Sequence, residues 1–143
     1  MAYPDTSLLI AALTIEPATD RAQRWLGDRS GGALRISGWT IVEFSSGLAV
    51  KFRHGTLPET DRRRAIASLN LLVSRGVLHV ETITTADYTR ATAFIDDHRT
   101  TLRAGDALHL AVAYRTGEMV WTLDHGMIDA AEAIGITCRS LPD

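Results

Sequence analysis

Four acidic residues stand apart in this 143-residue chain because of where they fall. Asp5 follows the short run Ala2 to Pro4, and Asp124 follows the apolar run Val120 to Leu123. Asp106 opens a nearly all-apolar segment that continues to Tyr114. Glu43 interrupts the string Trp39-Thr40-Ile41-Val42-Glu43-Phe44. None of them reads as part of a solvent-facing helix stripe. Carboxylates gathered in such places repel one another, and burying them unpaired costs on the order of several kcal/mol each. A divalent cation resolves that conflict. Mg²⁺ or Mn²⁺ takes carboxylate and water oxygens, commonly through only some of the carboxylates directly. Each acid also has a plainer use. Asp5, Asp106 and Asp124 all fall where a helix N-cap is wanted, a role that contributes ~1 kcal/mol. For Glu43 the plain alternative is a buried ion pair with an arginine.

The elements that must position these acids alternate along the chain. Ala2 to Pro4 reads as a brief strand, weakened because Pro4 cannot donate to a ladder. Asp5, Thr6 or Ser7 caps a helix carrying Leu8, Leu9, Ile10, Ala12 and Leu13. Pro17 suits the first turn of a second helix with Ala18, Ala22, Trp25 and Leu26 on one face. Ala33 to Ser37 reads as a strand, Thr40 to Phe52 as a helix, and Pro58 opens another that stops at Gly76. Val77 to Val80 fits a strand, and Thr84 or Thr85 caps a helix through Ile95. Asp106 to Tyr114 reads as a deeply buried helix. Val120 to Leu123 is a strand, Asp124 or His125 starts the last helix, and Ile136 to Cys138 is the final strand. This alternation predicts an α/β fold, a central mostly parallel sheet flanked by helices on both faces. In such sheets ligands gather beyond the carboxyl ends of the strands, where the acids fall.

Composition is consistent with one domain over residues 1–143, since 45% of residues are hydrophobic and 22% charged. Fifteen basic residues against 17 acidic give a net charge of −2, which excludes a polycation gripping nucleic acid by bulk charge. Lys51 is the only lysine, so the basic side is almost all arginine. The single cysteine, Cys138, excludes an internal disulfide and a multi-cysteine metal cluster. The opening residues carry no basic segment, and no apolar run nears the ~20 residues of a membrane span. A soluble cytoplasmic protein is expected.

The acidic residues also lie in recognisable wording. Tyr3-Pro4-Asp5-Thr6-Ser7-Leu8-Leu9 resembles the opening of a PIN domain, where a strand ends in Asp-Thr/Ser-Ser. Ile41-Val42-Glu43-Phe44 is similar to that family's helix-borne glutamate. Gly105-Asp106-Ala107-Leu108-His109-Leu110-Ala111 resembles the third acidic motif as VapC toxins write it. Trp121-Thr122-Leu123-Asp124, followed by Ala130 to Ile136, resembles the fourth motif and the closing helix and strand. The motifs occur in order over nearly the whole chain, and Pro4 departs from the usual apolar residue before the first aspartate.

The resemblance implies a single PIN-like domain with Mg²⁺- or Mn²⁺-dependent endoribonuclease activity on RNA. It implies the toxin of a VapBC-like pair, held inactive by a VapB-like antitoxin, and a homodimer is expected. Asp5 and Asp106 would be the primary metal ligands, with Glu43 and Asp124 completing an acidic cup; Thr6 and Thr122 would position waters. Hydrolysis by an activated water does not need the substrate's 2′-OH, so preference for RNA must come from other contacts. Two alternatives remain: a PIN nuclease of RNA processing without an antitoxin, and a catalytically silent PIN-like interaction module.

Several other residues draw attention. His109, three residues after Asp106, reads as a packing or hydrogen-bonding histidine, because an oxygen-rich site suits Mg²⁺ without imidazole. His125 is open between the site and solvent. Asp96-Asp97-His98 reads as a solvated helix end, and Cys138 as a small buried hydrophobe. Arg62-Arg63-Arg64 reads as a solvated face offset by Glu59 and Asp61, with Arg53, Arg99 and Arg103 as further rim candidates for phosphate contacts. With four acids assigned to the cup, 13 remain against 15 bases, so local steering of RNA by a few arginines is compatible with the overall charge.

Overall fold

The computed structural model describes residues 1–29 and 31–143. Five parallel strands form one sheet in the order β3-β2-β1-β4-β5. They are β1 (Ala2–Pro4), β2 (Leu34–Ser37), β3 (Leu78–Glu81), β4 (Met119–Thr122) and β5 (Cys138–Ser140). The helices among the described residues are α1 (Thr6–Leu13), α2 (Thr19–Arg29), α3 (Gly38–Arg53), α4 (Glu59–Ser74), α5 (Thr85–Asp96), α6 (Ala104–Thr116) and α7 (His125–Ala133). The α/β architecture expected from the alternating pattern is present, with every strand pairing parallel. No helix is long and apolar enough to cross a membrane among the described residues.

Side chains of successive strand residues point to opposite faces, and this splits the core in two. Ala2, Leu34, Ile36 and Leu78 pack with Leu8 and Leu9 of α1, Trp25 of α2, Phe44 and Leu48 of α3 and Leu69 of α4. On the other face Tyr3 and Val120 pack with α6 (Leu110 to Ala113), Ala91 of α5 and Met127 of α7. α6 is buried along most of its length, as its nearly unbroken apolar run predicts.

Pro4 occupies the central strand without breaking the sheet. The Asp5 amide donates to Trp121 O across to β4 at 2.9 Å, so the alternating pattern turns the missing Pro4 donor toward β2. On that side β1 and β2 register only at Ala2 and Leu34, so the backbone pairing between them is short.

Several boundaries shift by a residue or two from those read in the sequence, and three differences have a local physical reason. Pro17 lies in the turn before α2, not in its first turn. The Thr19 hydroxyl donates to Ala11 O and accepts from the Glu16 amide, tying that turn to α1. α6 begins at Ala104 with Arg103 at the cap position, so Asp106 is inside the first turn and does not cap it. The last strand is Cys138–Ser140, not Ile136 to Cys138. Ile136 instead completes the end of α7: its amide bonds Ala131 O and the Gly135 amide bonds Glu132 O, with Gly135 at φ +76°. That is a Schellman stop, and the apolar Ile136 is its packing residue.

Charged groups knit β2 and β3 to α5 and α6. Arg115 bridges Asp87 (2.8 Å) and Glu81 (3.1 Å), and Arg35 pairs with Glu81 and with Glu118 (3.2 Å). Asp87 also caps α5 reciprocally with Thr84. Burial opposes charge on Asp87, but Arg115 and the Thr84 bonds outweigh it and hold the carboxyl below its ordinary range. A depressed carboxylate stabilises the fold above its ordinary value and loses that contribution as pH falls through the folded value. Asp87→Ala should therefore lose about 2–3 kcal/mol at neutral pH. Urea melts should show the gap to wild type narrowing below about pH 4.

Candidate active site

The site begins with the end of β1. Asp5 is the N-cap of α1, and its Oδ1 accepts from the Leu8 amide at 3.2 Å. It is also stitched to the end of β4. Ser7 Oγ donates to Asp5 Oδ1 at 2.7 Å and accepts from the Leu123 amide at 3.2 Å. Thr122 Oγ1 donates to Asp5 Oδ2 at 2.7 Å and accepts from the Asp124 amide at 3.0 Å. Both carboxylate oxygens of a 5% exposed residue are thus in use. Burial raises the Asp5 carboxyl despite these bonds and the nearby His109 charge.

Glu43 comes from the second turn of α3, which follows β2. Its Oε1 accepts from Thr6 Oγ1 at 2.7 Å and lies 2.5 Å from His109 Nε2. Burial opposes its charge, but His109 and Thr6 outweigh that and lower its pKa. His109 is buried in α6 and its Nδ1 meets Tyr3 Oη at 2.7 Å. Tyr3 Oη donates onward to Ser37 Oγ at 3.1 Å, so its oxygen accepts from Nδ1–H and both ring nitrogens carry protons. Burial disfavours that imidazolium, yet the Tyr3 oxygen and Glu43 raise its pKa to about 10.

Asp106, in the first turn of α6, and Asp124, the N-cap of α7, complete the set. Asp124 Oδ1 accepts from the Gly126 amide at 2.9 Å and the Met127 amide at 3.4 Å. Burial raises the Asp106 carboxyl first, and the charges of Asp124, Glu43 and Asp5 push the same way. A cavity of about 400 Å³ is lined by Glu43, Asp106, Asp124, Arg103, Gly105 and Met127, and Asp5, outside that lining, is joined to Asp124 through Thr122. All four sequence-selected acids therefore meet at the carboxyl edge of the sheet, within electrostatic reach of one another. Their oxygens do not form a closed ligand shell: among the described residues, no three His, Cys, Asp or Glu side chains stand close enough together to hold an ion. Their chemistry still fits a hard cation. The hollow presents the carboxylates of Glu43, Asp106 and Asp124, and both Asp106 and the buried Asp5 beside them are raised by burial that a cation would offset.

Thr6 and Thr122 hold carboxylates directly in this arrangement. Ser7, Tyr3 and Gly105 were not selected from the sequence as site residues, although Ser7 and Gly105 stand inside the acidic motifs. His125 is exposed, and Arg62, Arg63 and Arg64 pair along α4 with Glu59 and Asp61 at 3.0 to 3.9 Å. Asp97 caps the end of α5 and pairs with Arg99 at 2.6 Å. Burial pushes the Cys138 thiol up to about 12, so it is unreactive at neutral pH. Of the rim arginines, Arg103 lines the hollow.

Residues 2–133 match the PIN domain model. The chain belongs to the PIN domain family. No curated protein matches this sequence. Among solved structures, this PIN domain superimposes on VapC20 of Mycobacterium tuberculosis, described as a sarcin-ricin loop cleaving toxin. The TM-score is 0.74 at 19% identity, covering 96% of this chain and 97% of that one. VapBC2 from Rickettsia felis, bound to a DNA fragment from its promoter, gives 0.72 at 14% identity over 99% and 100% of the two chains. FitAcB from Neisseria gonorrhoeae gives 0.67 at 18% identity over 96% of each. At these identities the likeness is one of fold.

Gly105 is required by close approach. A Cβ there would sit 2.5 Å from Glu43 Oε2 and 2.8 Å from Trp39 Nε1. Gly105→Ala should leave the fold intact, since alanine in a helix contributes up to ~1 kcal/mol over glycine. A crystal structure of the variant should show the Glu43 carboxylate displaced from its present place over residue 105.

Proposed function

We propose that this PIN domain is a Mg²⁺- or Mn²⁺-dependent endoribonuclease and the toxin of a toxin–antitoxin pair. The observation that carries this reading is the convergence of Glu43, Asp106 and Asp124 from three separate elements on one hollow, with the buried Asp5 near enough that Asp106 senses its charge along with theirs. Asp5 and Asp106 would hold the cation, directly or through water, with Glu43 and Asp124 completing the cup. When bound, such a cation supplies Lewis acidity, acidifying a water and offsetting charge on the scissile phosphate. The protein's own part is positional. Ser7 and Thr122 keep Asp5 turned toward the β4–α7 junction, and Thr6 holds Glu43. Arg103 on the rim would meet a substrate phosphate.

The relatives guide the choice of partners. Because VapC20 carries the description of a sarcin-ricin loop cleaving toxin, structured ribosomal RNA hairpins are the first substrates to try. VapBC2 and FitAcB support a VapB-like antitoxin as the partner. A homodimer is our expectation for the assembly, and exposed Val42, Val80 and Tyr88 offer apolar surface for it. The reaction would take place in the cytoplasm, where its RNA substrates are.

The purified protein should cleave structured RNA with Mg²⁺ or Mn²⁺, lose that activity in EDTA, and regain it when metal is restored. Asp5→Asn keeps the cap but should reduce cleavage at least about 100-fold. Equal cleavage by wild type and Asp5→Asn would sink the mechanism. A folded protein that cleaves no RNA would instead be a silent interaction module. A small reading frame overlapping the gene's start would favour an antitoxin over a role in RNA processing.

A further inference from the structure

The buried pair Tyr3 and His109 has no place in the acidic cup as described, yet it is hydrogen-bonded to Ser37 on one side and Glu43 on the other. Tyr3 and His109 are 0% and 1% exposed, and their rings meet edge-on with centroids 5.5 Å apart. Tyr3 Oη is itself pinned, lying 3.1 Å from Ser37 Oγ and 3.3 Å from Thr40 Oγ1. His109 Nδ1 is 2.7 Å from that oxygen, so the imidazole cannot rotate without breaking a buried bond. Its Nε2 then faces Glu43 Oε1 at 2.5 Å, with Thr6 Oγ1 on the same carboxylate oxygen at 2.7 Å. Oε1 is therefore turned inward and occupied, while Oε2 lies over Gly105 on the wall of the hollow.

We propose that His109 is a positioning residue: with Tyr3 behind it, the imidazole fixes the Glu43 carboxylate so that one oxygen is held by the protein and the other is offered to the hollow. The assignment rests on the metal-nuclease reading for what Glu43 serves, but its geometry is independent of that reading. It also explains a choice of residue type. A glutamate on α3 has three side-chain torsions to fix, and Thr6 alone supplies one bond. The imidazole adds a second donor from a different helix, rigid and dry, and so sets the carboxylate plane. His109 reaches no substrate or cation in this scheme; it acts through Glu43.

Mn²⁺ binding to the RNA-free protein, followed by electron paramagnetic resonance, tests the proposal through a double-mutant cycle. His109→Leu should weaken Mn²⁺ about 10–100-fold, the usual cost of losing a group that orients a ligand. His109→Gln, whose amide can donate to Glu43, should stay within several-fold of wild type. In a Glu43→Gln background, His109→Leu should cost nothing further. Wild-type affinity in His109→Leu, or a loss that adds in full to that of Glu43→Gln, overturns the assignment. Should His109→Leu fail to fold, Tyr3→Phe replaces it. A several-fold loss that vanishes in the Glu43→Gln background supports the relay, and full retention overturns it. A second readout needs no metal: proton NMR of wild type should show a far-downfield ring N–H resonance that Glu43→Gln removes. If wild type binds no Mn²⁺, the nuclease reading falls and this resonance alone decides the relay. Its persistence in Glu43→Gln overturns the relay.

Discussion

A carboxylate buried at the end of the central strand is the constraint around which the rest of this protein is arranged. Asp5 has almost no access to solvent, so every one of its oxygens must find a donor within the fold. Those donors come from both sides of one turn. Ser7 lies two residues on, and Thr122 lies at the end of the neighbouring strand. Each hydroxyl passes a further bond to a backbone amide of the β4–α7 junction, Leu123 for one and Asp124 for the other. The satisfaction of Asp5 and the placement of Asp124 are therefore a single event. Any residue at position 122 without a hydroxyl would leave both a buried carboxylate and a junction amide short of a partner.

Charge follows the same economy. The acids cluster because three of them stand at or near helix starts, where the aligned backbone amides favour negative groups. Glu43 is the exception, sitting well inside α3, and it is the one acid paired with a buried cationic ring. The carboxylates near helix starts and the imidazolium behind Glu43 offset part of the repulsion, and the upward shift of Asp106 is what remains. The protein folds with that remainder in place, while ion pairs among Arg35, Glu81, Asp87, Arg115 and Glu118 tie β2 and β3 to α5 and α6.

Legibility from sequence divided along physical lines. The four acids could be selected because strand ends and apolar context are local features, visible in windows of a few residues. The parallel sheet was legible for the same reason. His109 could be separated from the four acids, since a cup of oxygens needs no imidazole, but its partner could not be named. Glu43 lies 66 residues away, and no periodicity connects them. Ile136 looked like a strand residue because an apolar side chain after glycine suits a strand and a Schellman stop equally well. Position 106 looked like a cap because aspartate is a good one; the helix in fact starts two residues earlier, over Ala104 and Gly105. Gly105 carried no signal of its own, since the carboxylate that needs its empty space arrives from another helix.

The proline in β1 has a consequence for how the sheet holds together. With one registered pair between β1 and β2, the sheet is effectively two ribbons, β3–β2 and β1–β4–β5, meeting along a seam with little backbone stitching. Asp5 and Asp124 ride on one ribbon, while Glu43 rides on α3, which leaves the other. The bonds that cross at the carboxyl edge are made by side chains: Tyr3 to Ser37 and Thr40, and Thr6 and His109 to Glu43. The acidic hollow thus straddles a fault line, and the polar contacts that shape it are also the rivets that keep its two banks from drifting apart.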